Sequence, residues 1–376
     1  MSNSLTHQLR EAATGKTYTL RLAGRRLTTT AGPAGRERTT EKEFATAQEA
    51  GQQFEQKEWA ALKKGLVLHQ PAAGAGQPRL HRYMGRGYTG CLSLAGTPQG
   101  VYVYQPGPWP SAATQADNLL LLDEAGNLLH TLVLPGILPW DVQYNPVTNT
   151  LLLDLDHQIR EYSLATGSFR SLTPGGGWSS FVAVGHRHLA YATEPTLHVR
   201  TLASQPVLEL PYTATQLNGS VVFAAALAKG GQLLALHTTP GEIQLLRTTD
   251  GTCLRTITGN FGQVAQQLEF VEGDALLAVR THRDASLLFF SVADGQPVTF
   301  AGLAAPGHSL DGFCFSADES RLVLRYGTTA YVYDFPQRRL LHSFRLQHIV
   351  RRAHLAFVEA ALGVRTDYGC FSLYAV

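Results

Sequence analysis

The residues best equipped for chemistry in this 376-residue chain are scattered rather than gathered into a motif. Asp154-Leu155-Asp156-His157 offers two carboxylates and an imidazole in close succession, a set suited to a metal ion or to acid–base work. Asp154 and Asp156 alternate along an extended run, however, so the polar face of a strand accounts for them. His186-Arg187-His188 alternates in the same way. Gly175-Gly176-Gly177 runs into Trp178-Ser179 without the Lys-Ser/Thr that completes a phosphate-cradling loop, and neither H-E-x-x-H nor G-x-S-x-G occurs. No catalytic residue, metal ligand or cofactor is assigned on this reading, and the chain is expected not to be an enzyme. A hydrolase or lactonase site built from dispersed carboxylates and histidines stays open as an alternative, because it would leave no contiguous pattern.

Recognition chemistry is better represented. Tyr88, Trp140-Asp141, Trp178-Ser179, Asn218, Gln263, Asp311 and Arg351-Arg352 each stand just before an apolar run. Large aromatics beside opposed charges have the composition of protein-binding hot spots. Packing between sheets accounts equally well for Trp140 and Trp178. Two consecutive arginines cannot both be buried without partners, so Arg351 and Arg352 are expected at the surface. The candidate protein-binding residues are therefore Tyr88, Trp140, Asp141, Trp178, Asp311, Arg351 and Arg352. Arg25, Arg26, Arg36 and Arg38 form a second group, able to meet phosphate or simply to solvate one face. Residues 1–78 hold 11 Lys/Arg against 7 Asp/Glu, and the remainder 20 against 22, so a mildly basic head precedes a mildly acidic body.

These residues need a scaffold, and its unit shows most cleanly at 306–346. Four short apolar runs, at 312–316, 322–326, 330–334 and 340–346, are separated by Ala317-Asp318-Glu319-Ser320, by Gly327-Thr328-Thr329 and by Pro336. That spacing predicts a four-stranded antiparallel meander, which must stack on copies of itself to cover its faces. Turn signals at Gly126 and Gly167, near Ser204, at Gly251 and Gly295 and near Gln337 recur at intervals of 41, 37, 47, 44 and 42 residues, the period of propeller blades. A pair of β-sandwiches is the alternative, but it fits a regular interval near 40 less well. The short last unit, 353–376, is expected to borrow an outer strand from 80–84, which closes a ring of seven blades without a bare sheet edge. The units resemble WD-repeat propellers. Gly307-His308 and Tyr333-Asp334 stand closest to that family's Gly-His and Trp-Asp signatures, Gly185-His186 is a poorer echo, and most units lack both.

The head reads differently. Residues 1–15 are polar and expected to fray. Tyr18-Thr19-Leu20-Arg21-Leu22 alternates as a strand, 27–30 returns after Gly24-Arg25-Arg26, and 38–44 alternates again. Thr46 and Glu49 have capping-box spacing ahead of a helix over 47–64, with Ala50, Phe54, Ala61 and Leu62 on one face and Gly65 as the stop. Over 16–68 these features resemble a WGR domain, a small α+β module of some poly(ADP-ribose) polymerases and of many bacterial proteins. The resemblance implies a DNA-end contact through a Trp-Gly-Arg triplet. Here Ala31-Gly32-Pro33 stands in its place, without a ring to stack or a guanidinium to meet phosphate. The uncharged, Gly/Ala/Pro-rich stretch 70–78 reads as a linker.

Hydrophobic content of 44% supports a full core and argues against wholesale disorder. Cys91, Cys253, Cys314 and Cys370 lack zinc-finger spacing, and buried thiols are their default. The first residues lack a basic segment leading into an apolar core, and no apolar run is long enough to span a bilayer, so a cytoplasmic address is expected. The expected fold is mainly β: a flexible start at 1–15, a WGR-like α+β domain at 16–69, a linker at 70–78 and a seven-bladed propeller at 79–376. The expected function is a non-catalytic scaffold for a protein partner, with the head as a second docking module. A nucleic-acid adaptor working through the basic head is the alternative, and no small-molecule cofactor or membrane is expected.

Overall fold

The computed structural model describes all residues except 1–3, 12–13, 34, 86–90, 108–116, 156–157, 174–179, 194–195, 213–214, 218–219, 223, 240, 260–264, 282–285, 301 and 304–309. Two compact units divide the chain: residues 1–138, 328–330 and 342–376 form one, and 139–327 with 331–341 the other. The division does not fall at 70–78.

In the first unit, β1 (Leu5–Arg10), β2 (Thr17–Ala23), β3 (Arg26–Gly32) and β4 (Arg38–Glu43) form an antiparallel run, followed by α1 (Ala47–Leu62), β5 (Val67–His69) and β6 (Pro78–Tyr83). The expected frayed start is in fact a strand. His7 and Leu9 alternate inward along β1, which pairs over six residues with β2 and over two with β5. Polar composition hid this, because the inward polar residue, His7, has a buried partner. The α1 start is as expected, with the Thr46 hydroxyl accepting from the Glu49 N–H at 3.1 Å. Gly65, at φ +91, ends it.

The stretch 70–78 is no free linker either. It is the turn between β5 and β6, which pair at Leu68↔His81 and His69↔Leu80. β6 pairs in turn with Cys370–Ala375, so the head strands and the last strands of the chain form one nine-stranded sheet. The strand expected at 80–84 to complete the last unit is therefore present as β6. The head shares its core with that sheet: Leu9, Trp59, Leu62 and Leu68 pack with Cys370, Tyr83 and Tyr368. Leu20, Leu27 and Phe54 form a second small cluster under β2 and β3. The rest of this unit includes β7 (Leu94–Thr97), β8 (Gly100–Gln105), β9 (Asn118–Leu122) and β10 (Leu128–Val133), a four-stranded meander.

In the second unit the chain runs through successive four-stranded antiparallel sheets in which strands follow in chain order, the first being Asp141–Asn145, Thr150–Leu155, Gln158–Ser163 and Phe169–Ser171. Each sheet buries apolar residues against the next. Ala190, Val199, Leu234 and Leu236 share one cluster, Ala235, Leu245, Leu277 and Val279 another, and Ala278, Phe289, Leu322 and Leu324 a third. The protein is mainly β, in a β-propeller arrangement. The turn that marks the sequence period is the third-to-fourth-strand turn, and it has a common cause. Gly126, Gly167, Ser204, Gly251, Gly295 and Arg338 all take positive φ, between 54° and 77°. In three sheets the same two bonds close it: Ser163 N–H to Ser168 O with Gly167 N–H to Ser163 O, and the matching pairs at Arg247 and Ser291. A tight turn followed by a left-handed residue is a preferred hairpin closure, which is why glycine recurs there.

Candidate functional site

Glu58 is the anomalous residue of α1. Phe54, one turn before it, and Leu62, one turn after, form the helix's apolar face, and Glu58 is buried among them at 0% exposure. A buried carboxylate persists only with partners, and two imidazoles supply them. His7, facing inward from β1, brings Nδ1 to 2.5 Å from one carboxylate oxygen. His348, in the segment before Ala353–Val358, brings Nε2 to 3.0 Å from the other. A carboxylate only accepts, so both nitrogens carry protons and donate. His81, from β6, completes the group. Its Nδ1 lies 2.7 Å from the Ser372 hydroxyl and its Nε2 2.7 Å from Gln347 Oε1. The Cys370 thiol stands 4.0 Å from His81 Nδ1. The Trp59 ring stacks on His348 at 5.0 Å and on Tyr368 at 4.4 Å, sealing one side.

Burial on its own would raise the Glu58 carboxyl. The hydrogen bonds from His348 and His7, with the nearby positive potential, outweigh it and hold the group well below the usual carboxylate range. Burial dominates at His81 and drives it down to about 3, so the ring is neutral with a lone pair available, despite the opposing pull of Glu58. Ligand atoms of Glu58, His81 and His348 lie within 4.8 Å of one another, the single such group of three among the described residues. With exposures of 0–9% across His7, Glu58, His81 and His348, this centre is closed to a substrate. It can join elements or hold a small ion.

A second polar network lies in the other unit, at turns between first and second strands and at Arg338 in a third-to-fourth-strand turn. Lys229 pairs with Glu319, the Glu319 carboxylate accepts from Glu272 N–H at 2.6 Å, and Glu272 pairs with Arg338. The Asp274 carboxylate accepts from Lys229 N–H at 3.0 Å. Beside them, burial pushes the half-buried Glu269 carboxyl up to about 7, with Lys229 opposing and Glu319 assisting.

The sequence-derived protein-binding residues fare unevenly. Trp140 is 49% exposed, its backbone N–H tied to Asp154 O at 2.8 Å, so it does not fill the space between sheets. Asp141 is half-buried and accepts from Gln143 Nε2 at 2.7 Å. Asp311 is exposed, and its carboxylate accepts from Gly327 N–H at 2.6 Å and faces Arg325 at 3.6 Å, so it also shapes its own turn. Arg351 and Arg352 have exposed side chains, while the backbone N–H groups of Val350, Arg351 and Arg352 all donate to the Asp367 carboxylate at 3.0–3.1 Å. That clamp fixes the backbone at the two arginines. They belong to the first unit, and Trp140, Asp141 and Asp311 to the second. Tyr88, Trp178, Asn218 and Gln263 lie outside the described residues, as do Asp156, His157, Gly175-Gly176-Gly177 and Gly307-His308. His186 is exposed and His188 half-buried, and neither is among the residues placed to share a metal ion.

In the head, Arg25, Arg26, Arg36 and Arg38 are all exposed. Arg25 pairs with Glu43 at 3.0 Å and Arg26 with Glu41 at 3.2 Å, so the β3–β4 ribbon neutralises half of its own arginine charge. The cysteine expectation needs one correction: Cys91, Cys314 and Cys370 are buried, but Cys253 is exposed on an outer strand. Sequence reasoning missed Glu58, His7, His81 and His348 altogether. Its one available signal was a carboxylate in register with Phe54 and Leu62 on an otherwise apolar helix face.

No family profile matches the chain, and no curated protein does. The WGR resemblance of the head therefore finds no support there. Solved structures do match. A chain of a mitotic checkpoint complex is similar over 81% of this chain and 93% of its own, with a TM-score of 0.61 and 13% identity. With 1445 solved chains similar, the likeness supports the β-propeller fold and identifies no partner. No helix among the described residues is long and apolar enough to cross a membrane.

Proposed function

We propose that the protein is a non-catalytic scaffold whose propeller binds a protein partner through residues at the starts of first strands. Exposed Trp140 carries this reading. An indole left half in water just ahead of the strand Asp141–Asn145 does no packing that the fold requires, and Trp is the residue most enriched in interface hot spots. Arg351 and Arg352 support it, because the Asp367 clamp fixes the backbone that carries two exposed, charged side chains.

On this reading the propeller has seven blades, the last completed by β6, and the head is a docking module on its own geometry rather than on the WGR resemblance. Its outermost strand, β4, is exposed along its whole length and offers an unpaired, charged edge. Nucleic-acid binding through Arg25, Arg26, Arg36 and Arg38 is the less favoured reading, given the pairing with Glu41 and Glu43.

The test is quantitative capture of partners from native extract by the full chain, by Trp140→Ala and by the double variant Arg351→Glu/Arg352→Glu. The reading expects a specific partner to be lost with at least one variant while the unfolding midpoint stays unchanged. Capture unaffected by both variants removes the assignment.

A further inference from the structure

We propose that Glu58, His81 and His348 form a zinc site that locks the head onto the last sheet of the chain. Two imidazoles and one carboxylate are a common protein ligand set for Zn²⁺, which takes nitrogen and oxygen donors at about 2.0–2.2 Å in a tetrahedral shell. The donor atoms already lie within 4.8 Å of one another, and His348 Nε2 and the Glu58 oxygen are 3.0 Å apart. A shift of about an ångström at the His81 ring closes the set around an ion of that size.

The surroundings match what a bound metal requires. Metal-ligating groups are held in place by hydrogen bonds from the side away from the ion. The Glu58 oxygen not facing His348 accepts from His7 Nδ1–H at 2.5 Å. Each His81 nitrogen has a partner, Ser372 Oγ or Gln347 Oε1, so whichever nitrogen ligates, the other stays oriented. The Cys370 thiol stands 4.0 Å from His81 Nδ1 but outside the group of three, so it packs beside the ligands rather than among them. Each of these side chains is nearly or fully buried, which leaves no open coordination position for a substrate. The site is structural.

The ligands come from α1, β6 and the segment preceding Ala353–Val358, so the ion would bond the helix to one strand of the shared sheet and to the segment leading into another. Ligation at His348 Nε2 places that ring's proton on Nδ1, and added protons compete with the metal for the imidazoles and the carboxylate, so affinity falls as pH falls.

The test uses the full chain without a histidine tag, expressed with zinc and exchanged into chelator-treated buffer. Elemental analysis should find about one zinc per chain, and cobalt(II) substitution should give the intense visible absorption of a tetrahedral ion. Glu58→Gln keeps the shape and an acceptor oxygen but loses the ligand charge, and it should abolish stoichiometric zinc. His7→Phe leaves the ligands in place and should weaken zinc binding by about 10–100-fold. Exposed Cys253 is the control for surface binding, and Cys253→Ser should leave the stoichiometry unchanged. A folded wild-type chain that takes up no zinc overturns the proposal. So does zinc retained in full by Glu58→Gln.

Discussion

Glu55 and Glu58 stand one turn apart on α1, and each joins the helix to the C-terminal segment, which makes them a controlled pair. Glu55 meets Arg345 at 2.6 Å with the arginine side chain 65% exposed, whereas Glu58 meets His7 and His348 in a fully buried position. An exposed ion pair is worth about 0–1 kcal/mol, because solvent screens it and two long side chains must be ordered. Removing Glu58 strands two buried imidazole donors and leaves a cavity. Two hydrogen bonds to a charged group, at about 1.5–3 kcal/mol each, give a loss of about 3–6 kcal/mol for Glu58→Ala. Urea unfolding of the full chain, with and without chelator, measures both variants. Glu55→Ala should shift the midpoint barely, and Glu58→Ala should lower it strongly and render the head susceptible to protease. Equal costs for the two, or less than about 1 kcal/mol for Glu58→Ala, would refute the argument that burial sets the value of this joint.

Three further outcomes are expected. Glu269 has a folded pKa near 7, above its unfolded value near 4.5, so its contribution is fully present below about pH 4.5 and is lost as pH rises through 7. Glu269→Gln should therefore stabilise the chain above pH 7, by at most about 3 kcal/mol, and leave stability unchanged at pH 4; a uniform shift at both pH values would contradict the assignment. A fragment of residues 79–376 loses the strand that covers the β6 edge and the helix that covers Cys370 and Tyr368, so it should aggregate or show a lower unfolding midpoint than the full chain by differential scanning fluorimetry. Duplex DNA titrated with the full chain should show at most weak binding, with a shallow salt slope, since Glu41 and Glu43 already occupy Arg26 and Arg25; a slope demanding four or so phosphate contacts would restore the nucleic-acid reading.

The repeat was legible in the sequence because it rests on local chemistry. Six turns need a left-handed residue at the same place, and glycine fills four of them, so the period could be read from glycine spacing alone. Ser204 and Arg338 take the same φ without glycine, and those were the two turns located only approximately. β6 was legible as well, since an incomplete last meander demands a strand from elsewhere. The joint between head and sheet was not. A Gly/Ala/Pro stretch carries no sign that the strands on either side of it pair, and the pairing there spans only two residue pairs. The buried centre was hidden for a related reason. His7, Glu58, His81 and His348 are separated by tens to hundreds of residues, and each alone reads as an ordinary surface polar group. Only the Phe54–Glu58–Leu62 register hinted otherwise. Among the recognition residues, exposure of Arg351 and Arg352 followed from charge alone, but whether Trp140 packs or projects depended on tertiary context that no local pattern encodes.

The most direct test of the scaffold reading is hydrogen–deuterium exchange of the full chain, alone and with a captured partner at saturating concentration. Amides at 140–142 and 350–352 should exchange more slowly in the complex, with the strand interiors unaltered. Protection confined to other segments, with these two unchanged, would contradict it.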